Sequence, residues 1–154
     1  MRHGTTDRWV TPPEVFDQLR AEFDFDLDAA ADDGTYRVRP FLTDALNQPW
    51  IGSRVWLNPP YGKAIGDFVR KAASEGERRV VVALLPMRCC AAWWHEAVIG
   101  RAAELRFVKG RVHFLTANGE RPFRGTMQGS VVVVWRPRSR TCAVSTFTQE
   151  ARRG

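Results

Sequence analysis

The segment of the sequence best suited to chemistry is Asn58-Pro59-Pro60-Tyr61, which directly follows a short apolar run. The side-chain oxygen of Asn58 and the carbonyl of Pro59 are both hydrogen-bond acceptors, and the prolines fix the backbone φ angles beside them. Two fixed acceptors can hold the N–H bonds of an amine and aim its lone pair at an electrophile. The Tyr61 ring offers a flat face for stacking. The segment therefore predicts a rigid site with fixed hydrogen-bond acceptors and a stacking face at the end of a strand; the alternative is a rigid turn that ends a strand.

The charges of the chain divide into an acidic and a basic part. Residues 1–50 carry 5 Lys+Arg against 10 Asp+Glu, a net charge of −5, and residues 51–154 carry 18 against 7, a net charge of +11. Together they give the +6 of the whole chain. The basic part suits a polyanion, with nucleic acid as the first candidate, and the alternative is a solvated basic surface. The acidic part suits a cationic ligand.

Alternating helices and strands must position these side chains. Thr11 and Glu14 are predicted to cap a helix that begins at Pro12 and carries apolar residues at a helical period. Further helices are predicted over 65–74 and 91–99. Strands are predicted over 25–28, 54–57, 79–85 and 105–108, with 111–115 as another strand or a continuation, and with 129–135 and 141–147 as a closing antiparallel pair.

This pattern indicates an α/β fold of three layers with a mostly parallel sheet. In such sheets ligands bind beyond the carboxyl ends of the strands, which places Asp28, Asn58 and Pro86 along one rim. The length fits one domain over residues 1–154, without a separate recognition domain, and 116–128 is the best candidate for a loop that reads the target. The number of subunits stays open.

The sequence shows no signal peptide and no apolar run long enough to cross a membrane. Its three cysteines form no disulfide framework. We therefore expect a cytoplasmic protein with reduced thiols, in the host cell if a phage encodes it.

Six segments, in order, resemble the small phage-type DNA N-6-adenine methyltransferase family. They are Asp7-Arg-Trp-Val-Thr-Pro12, Phe25-Asp-Leu-Asp-Ala-Ala30, Asp44-Ala-Leu46 with Trp50, Val55-Trp-Leu-Asn-Pro-Pro-Tyr-Gly62, Leu84-Leu-Pro86 and Gly110-Arg-Val-His-Phe114. The resemblance implies a Rossmann-like methyltransferase fold. It also implies an enzyme that transfers a methyl group from S-adenosylmethionine to the N6 amine of a flipped adenine in double-stranded DNA.

The resemblance assigns roles to residues of this chain. The catalytic residues are Asn58, Pro59, Pro60 and Tyr61. The cofactor-binding residues are Thr11, Pro12, Asp26, Asp28, Ala29, Ala30 and Asp44. Tyr61 and Phe114 are expected to stack on the target base, and the alternative for Phe114 is a place in a core strand. Placement in loops near the rim makes Lys63, Arg88, Lys109, Arg111 and Arg124 candidates for DNA binding, and the alternative for each is plain surface. No metal is expected, since the histidines lack ligand spacing.

Other functions remain open at this point. Asp28-Ala-Ala-Ala-Asp32 stands where a methyltransferase usually has a glycine-rich turn, which motivates an inactive, basic nucleic-acid-binding protein on the same fold. The Asn-Pro-Pro-Tyr motif also serves enzymes that methylate protein glutamine or RNA. Cytosine-N4 enzymes commonly have Ser at the position of Asn58, so that branch is disfavoured.

Overall fold

A computed structural model describes residues 9–121 and 128–152. Two α-helices, α1 (Pro13–Phe23) and α2 (Ile65–Glu75), accompany a π-helical segment, Trp94–Val98. The strands are β1 (Leu27–Asp28), β2 (Arg54–Leu57), β3 (Val80–Pro86), β4 (Glu104–Val108), β5 (Ser130–Trp135) and β6 (Ala143–Phe147). They form one sheet in the order β1-β2-β3-β5-β4-β6. The structure is thus a mixed α/β fold.

The centre of the sheet consists of β3 and β5, which are almost entirely apolar and buried. Alternate residues of each strand point to opposite faces. On one face Val81, Ala83 and Leu85 pack in a core with α2 and the π-helical segment. On the other face Val82 and Leu84 pack in a core with α1. Helical elements therefore cover both faces, as an apolar central strand requires.

The predicted antiparallel pairing of the last two strands is wrong. β5 runs antiparallel to both β3 and β4. β6 instead lies parallel to β4 as the outermost strand of the sheet. Burial explains the difference, because β5 is buried on both faces whereas Phe147 is the one buried residue of β6. The remaining sheet pairs are parallel, so the expectation of a mostly parallel sheet is confirmed.

Two further local predictions differ from the structure. Residues 111–115 form no strand of the sheet; Leu115 makes an isolated bridge with Val10. α1 begins at Pro13 with Pro12 as its N-cap residue, and no side chain caps it. Glu14 instead pairs with Arg121, so its carboxylate is not available for a capping box.

The carboxyl ends of β1, β2, β3 and β4 lie at one edge of the sheet, which we call the carboxyl edge. The antiparallel β5 begins there, with Ser130 opposite Pro86. Beyond β1, Phe41 makes a parallel bridge with Asp28, so residues 40–42 also end at this edge. Within residues 9–121 and 128–152, no helix has the length and apolarity needed to span a bilayer.

Candidate active site

Asn58-Pro59-Pro60-Tyr61 occupies the carboxyl edge directly after β2, between β1 and β3. The residue before it, Leu57, is fully buried, and Pro59 is buried as well, so the segment is anchored at both points. Asn58 is half-buried, and its side chain makes no hydrogen bond with the described residues. Its amide oxygen is therefore free to accept a hydrogen bond from a ligand.

Tyr61 is fastened to the end of the sheet. Its hydroxyl donates a hydrogen bond to the Leu84 carbonyl of β3 at 3.0 Å, and burial raises the pKa of that hydroxyl. Its own carbonyl accepts a hydrogen bond from the Arg88 guanidinium at 3.3 Å. The same guanidinium donates to the Gln128 side chain at 3.1 Å. Arg88 thus joins the Asn-Pro-Pro-Tyr segment to the residues that lead into β5.

The structure places Phe114, the second candidate for stacking on a base, directly against Tyr61. The Phe114 ring meets the Tyr61 ring edge to face, with centroids 5.9 Å apart and planes at 88°. Two rings that touch at a right angle leave no slot for a flat base between them. Phe114 instead belongs to the core beside α1, where it supports the Tyr61 ring.

Asp28 ends β1, next to the Asn-Pro-Pro-Tyr segment, and is 2% exposed. Its carboxylate accepts hydrogen bonds from the backbone N–H groups of Ala30 at 3.3 Å and of Arg37 at 2.9 Å. Burial raises the pKa of Asp28 to about 6, against the opposing effect of these bonds. In this protein a buried carboxylate orders the turn after β1, in the place of a glycine-rich turn.

Thr11 is linked to Asp28 through Arg37. The Arg37 guanidinium donates to the Thr11 carbonyl, with Nε at 2.9 Å, while the Arg37 backbone binds Asp28. The Thr11 hydroxyl is buried and has no hydrogen-bond partner among the described residues. A buried, unpaired hydroxyl can bind a carboxylate and a buried carboxylate can bind an ammonium, so Thr11 and Asp28, which Arg37 links, fit the amino-acid group of S-adenosylmethionine. The sequence did not predict a role for Arg37. No local sequence pattern indicates that this residue contacts both Thr11 and Asp28.

Two other acidic candidates lie at different places. Asp26 precedes β1 at the opposite edge of the sheet, where it accepts hydrogen bonds from Ser53 and from the Arg54 backbone. Burial acts to raise the pKa of Asp26, but these bonds outweigh it and lower that pKa. Asp44 is exposed, two residues beyond the segment 40–42, and its carboxylate binds Asn47 within a turn. The structure therefore brings Asp44, but not Asp26, to the carboxyl edge.

The predicted DNA-binding cations also fall into groups. Lys63 follows the Asn-Pro-Pro-Tyr segment, and Lys109 and Arg111 follow β4, so all three lie at the carboxyl edge. None of them forms an ion pair with a described residue. Arg88 uses its guanidinium within the protein, and Arg124 lies outside the described residues. Within the described part of the chain, no three His, Cys, Asp or Glu residues are grouped as metal ligands would be.

Comparison with known proteins shows the family. The family model for DNA N-6-adenine-methyltransferase (Dam) matches residues 1–153. The chain belongs to this family. Among curated proteins, Dam relatives include the DNA N-6-adenine-methyltransferase of Escherichia phage T1, 31% identical over 151 residues, and that of Haemophilus phage HP1 (strain HP1c1), 30% identical over 116 residues.

The two alignments cover 84% and 71% of this chain. They cover 63% and 66% of the phage T1 and phage HP1 proteins, so this Dam family member spans just under two thirds of each relative.

Proposed function

We propose that this protein is an S-adenosylmethionine-dependent DNA adenine-N6 methyltransferase, built as a compact, Rossmann-like three-layer domain. The observation that carries the proposal is the free Asn58 amide in Asn-Pro-Pro-Tyr at the carboxyl edge, next to the buried Asp28. Membership of the Dam family supports adenine as the target. Helical elements on both faces of the sheet support the three-layer description.

The chemistry assigned to this chain is the presentation of a weakly nucleophilic amine. The lone pair of the adenine N6 amine is delocalised into the ring. The Asn58 side-chain oxygen and the Pro59 carbonyl each accept a hydrogen bond from one of its two N–H groups. This arrangement favours a pyramidal nitrogen with a free lone pair. Pro59 and Pro60 hold these acceptors in place before the substrate arrives. The proton is released to water after transfer, so no general base is assigned.

S-adenosylmethionine supplies a methyl group on a positively charged sulfonium. Asp28 holds the ammonium of this cofactor, the hydroxyl of Thr11 holds its carboxylate, and Asp44 binds its ribose hydroxyls. Pro12, Ala29 and Ala30 line the same region with small side chains or fixed backbone. Asp26 is left out of this proposed site because it lies at the opposite edge of the sheet.

The proposed substrate is double-stranded DNA with the target adenine turned out of the helix, because an amine inside a duplex is not reachable. The Tyr61 ring provides a single stacking face for that base. Lys63, Lys109 and Arg111 contact phosphates beside it. We place the reaction in the cytoplasm, and the described cysteines, all free, agree with a reducing compartment.

A second candidate is an inactive nucleic-acid-binding protein on the same fold, which the missing glycine-rich turn favours. Transfer of a labelled methyl group from S-adenosylmethionine distinguishes the two. The substrates are a duplex with adenines, the same duplex with every adenine pair replaced by guanine–cytosine, and an RNA duplex. We expect transfer to the adenine-containing DNA. Transfer to the adenine-free DNA or to RNA alone changes the assigned target, and no transfer at all supports the inactive protein.

The variant Asn58→Ala tests the catalytic assignment. Loss of one fixed polar contact in an active site costs about two to three orders of magnitude in kcat. The affinity for S-adenosylmethionine, measured by calorimetry, should stay unchanged because Asn58 contacts the base. A wild-type rate in Asn58→Ala overturns the role of this segment.

A further inference from the structure

The hydroxyl of Ser130 is buried without any hydrogen-bond partner among the described residues. The residue is 2% exposed and begins β5, opposite Pro86 of β3. A buried hydroxyl that bonds to nothing is unfavourable, and most such groups are paired in folded proteins. Ser130 therefore has an unused donor and acceptor at the carboxyl edge.

Ser130 lies on the same face of the sheet as the proposed substrate residues. Val132 and Val134, at alternate positions of β5, belong to the core beside α1, and the alternation places Ser130 on that face. Trp56 of β2 belongs to the same core, so Asn58, two residues later, lies on the same face. Leu57, the residue before Asn58, pairs with Ala83 of β3, whereas Ser130 pairs with Pro86. Ser130 is therefore two strand spacings across the sheet from Asn58 and two residues farther along it, a backbone separation of about 12 Å.

The contacts of Tyr61 also lead to Ser130. The Tyr61 hydroxyl binds the Leu84 carbonyl, and Leu84 pairs with Val132 in the sheet. The Tyr61 carbonyl is joined through Arg88 to Gln128, two residues before Ser130. The start of β5 is thus attached to the Asn-Pro-Pro-Tyr segment from both sides.

We propose that Ser130 is a specificity-determining residue that donates its hydroxyl hydrogen to a ring nitrogen of the target adenine. This inference rests on the proposed function. Asn58 and Pro59 supply acceptors for the amine, and the ring nitrogens on either side of that amine, N1 and N7, are themselves acceptors. A donor is therefore the group that the site still lacks, and Ser130 supplies it. Guanine carries a hydrogen on N1 and a carbonyl in place of the amine, so it fits this set poorly.

Among the described residues Thr11 also has a buried hydroxyl without a hydrogen-bond partner, and its position supports a division of roles. Thr11 lies beside Arg37, whose backbone binds Asp28, so its hydroxyl belongs with the proposed cofactor residues. Ser130 lies beyond Asn58 on the opposite side from Asp28, in the direction of β5. The two unpaired hydroxyls therefore lie on the cofactor side and the base side of Asn58.

The test compares the wild type, Ser130→Ala and the control Ser145→Ala, which removes an exposed hydroxyl from β6. The substrates are duplexes with adenine, 1-deazaadenine or 7-deazaadenine at the methylated position. Loss of one neutral hydrogen bond lowers kcat/KM roughly 2- to 12-fold in Ser130→Ala. In the wild type, one of the two deaza bases should lower kcat/KM by a similar factor relative to adenine. In Ser130→Ala, the same deaza base and adenine should give equal kcat/KM. Ser145→Ala should match the wild type on every substrate.

Thermal unfolding provides a second readout. Because the Ser130 hydroxyl is unpaired in the free protein, Ser130→Ala should be at least as stable as the wild type. A clear loss of stability means that the hydroxyl has a structural partner, and it overturns the proposal. Equal penalties from the deaza bases in wild type and Ser130→Ala also overturn it. If the wild type transfers no methyl group to any duplex, the proposed function fails and this inference fails with it.

Discussion

At the scale of single residues, Asp28 makes the site sensitive to pH. Burial raises its pKa to about 6, so the carboxylate gains its charge as the pH rises through that value. If Asp28 holds the ammonium of the cofactor, affinity should increase from pH 5 to about pH 7 and then level off. Asp28→Asn should bind weakly at every pH in this range. Calorimetric titration with S-adenosylmethionine measures both, and a variant that keeps the wild-type rise contradicts the role of Asp28.

The Asp28 carboxyl affects folding stability with the opposite pH dependence: stability falls as the pH rises, whereas cofactor affinity increases. The folded state holds the Asp28 proton more tightly than the unfolded chain, whose carboxyl titrates near 4. The stabilisation is therefore complete below about pH 4 and is lost as the pH rises through 6. With a shift of about two pKa units the loss is roughly 3 kcal/mol. The difference in unfolding free energy between wild type and Asp28→Asn should change by this amount, and a constant difference contradicts it.

At the scale of elements, the contribution of β6 to stability depends on its one buried residue. β6 attaches to the sheet through β4, and Phe147 alone among its residues is buried, in the core beside α1. Phe147→Ala should cost about 3 kcal/mol, the low end for a buried phenylalanine. The matched control is Val144→Ala in the same strand, where the side chain is 66% exposed and the change should cost less than about 0.5 kcal/mol. Equal losses in denaturant unfolding contradict this account of β6.

Elements with a strong local pattern were predictable from the sequence. The apolar run of β3, the helical period of α2 and the strand before Asn58 are found in the structure close to their predicted bounds. The partners of β5 and β6 were not predictable, because pairing depends on which distant strand needs its faces covered. The capping of α1 failed for a similar reason, since Glu14 binds Arg121, 107 residues away.

In the candidate site, too, contacts between distant segments could not be predicted from the sequence. The strand ends placed Asp28 and Asn58 side by side correctly, because parallel strands share an edge. Asp26 has the same chemistry as Asp28 and lies two residues earlier, yet it faces the other edge, where it binds Ser53 and Arg54. The roles of Arg37 and Ser130 come from contacts between distant segments, which residue types alone do not reveal.

At the scale of the whole molecule, ion pairs reduce the number of cations available to the proposed DNA substrate. Many arginines of the basic part pair with acidic side chains: Arg54, Arg70, Arg78, Arg79, Arg101, Arg106, Arg121 and Arg136. Lys63, Lys109 and Arg111 form no such pair within the described residues. Three phosphate contacts at about −0.9 each give a slope of log K against log salt near −3 on duplex DNA.

Variants assign that slope to particular residues. Lys109→Ala should make the slope shallower by about 1 without changing cofactor affinity. Arg140→Ala is the matched control, because it is exposed in the connection between β5 and β6, at the edge opposite Asn58. Fluorescence anisotropy of a labelled duplex at several salt concentrations provides the measurement. A flat salt dependence, or an equal effect of both variants, contradicts a DNA surface at the carboxyl edge.

The most direct test of the central claim is to map N6-methyladenine in DNA from cells that lack adenine methylation of their own. One culture expresses the wild-type protein and the other expresses Asn58→Ala at the same level. Our account predicts N6-methyladenine in the DNA of the first culture and, at matched times before methylation is complete, a much lower level in the second. Unmethylated adenine in both cultures, or equal methylation in both, would contradict it.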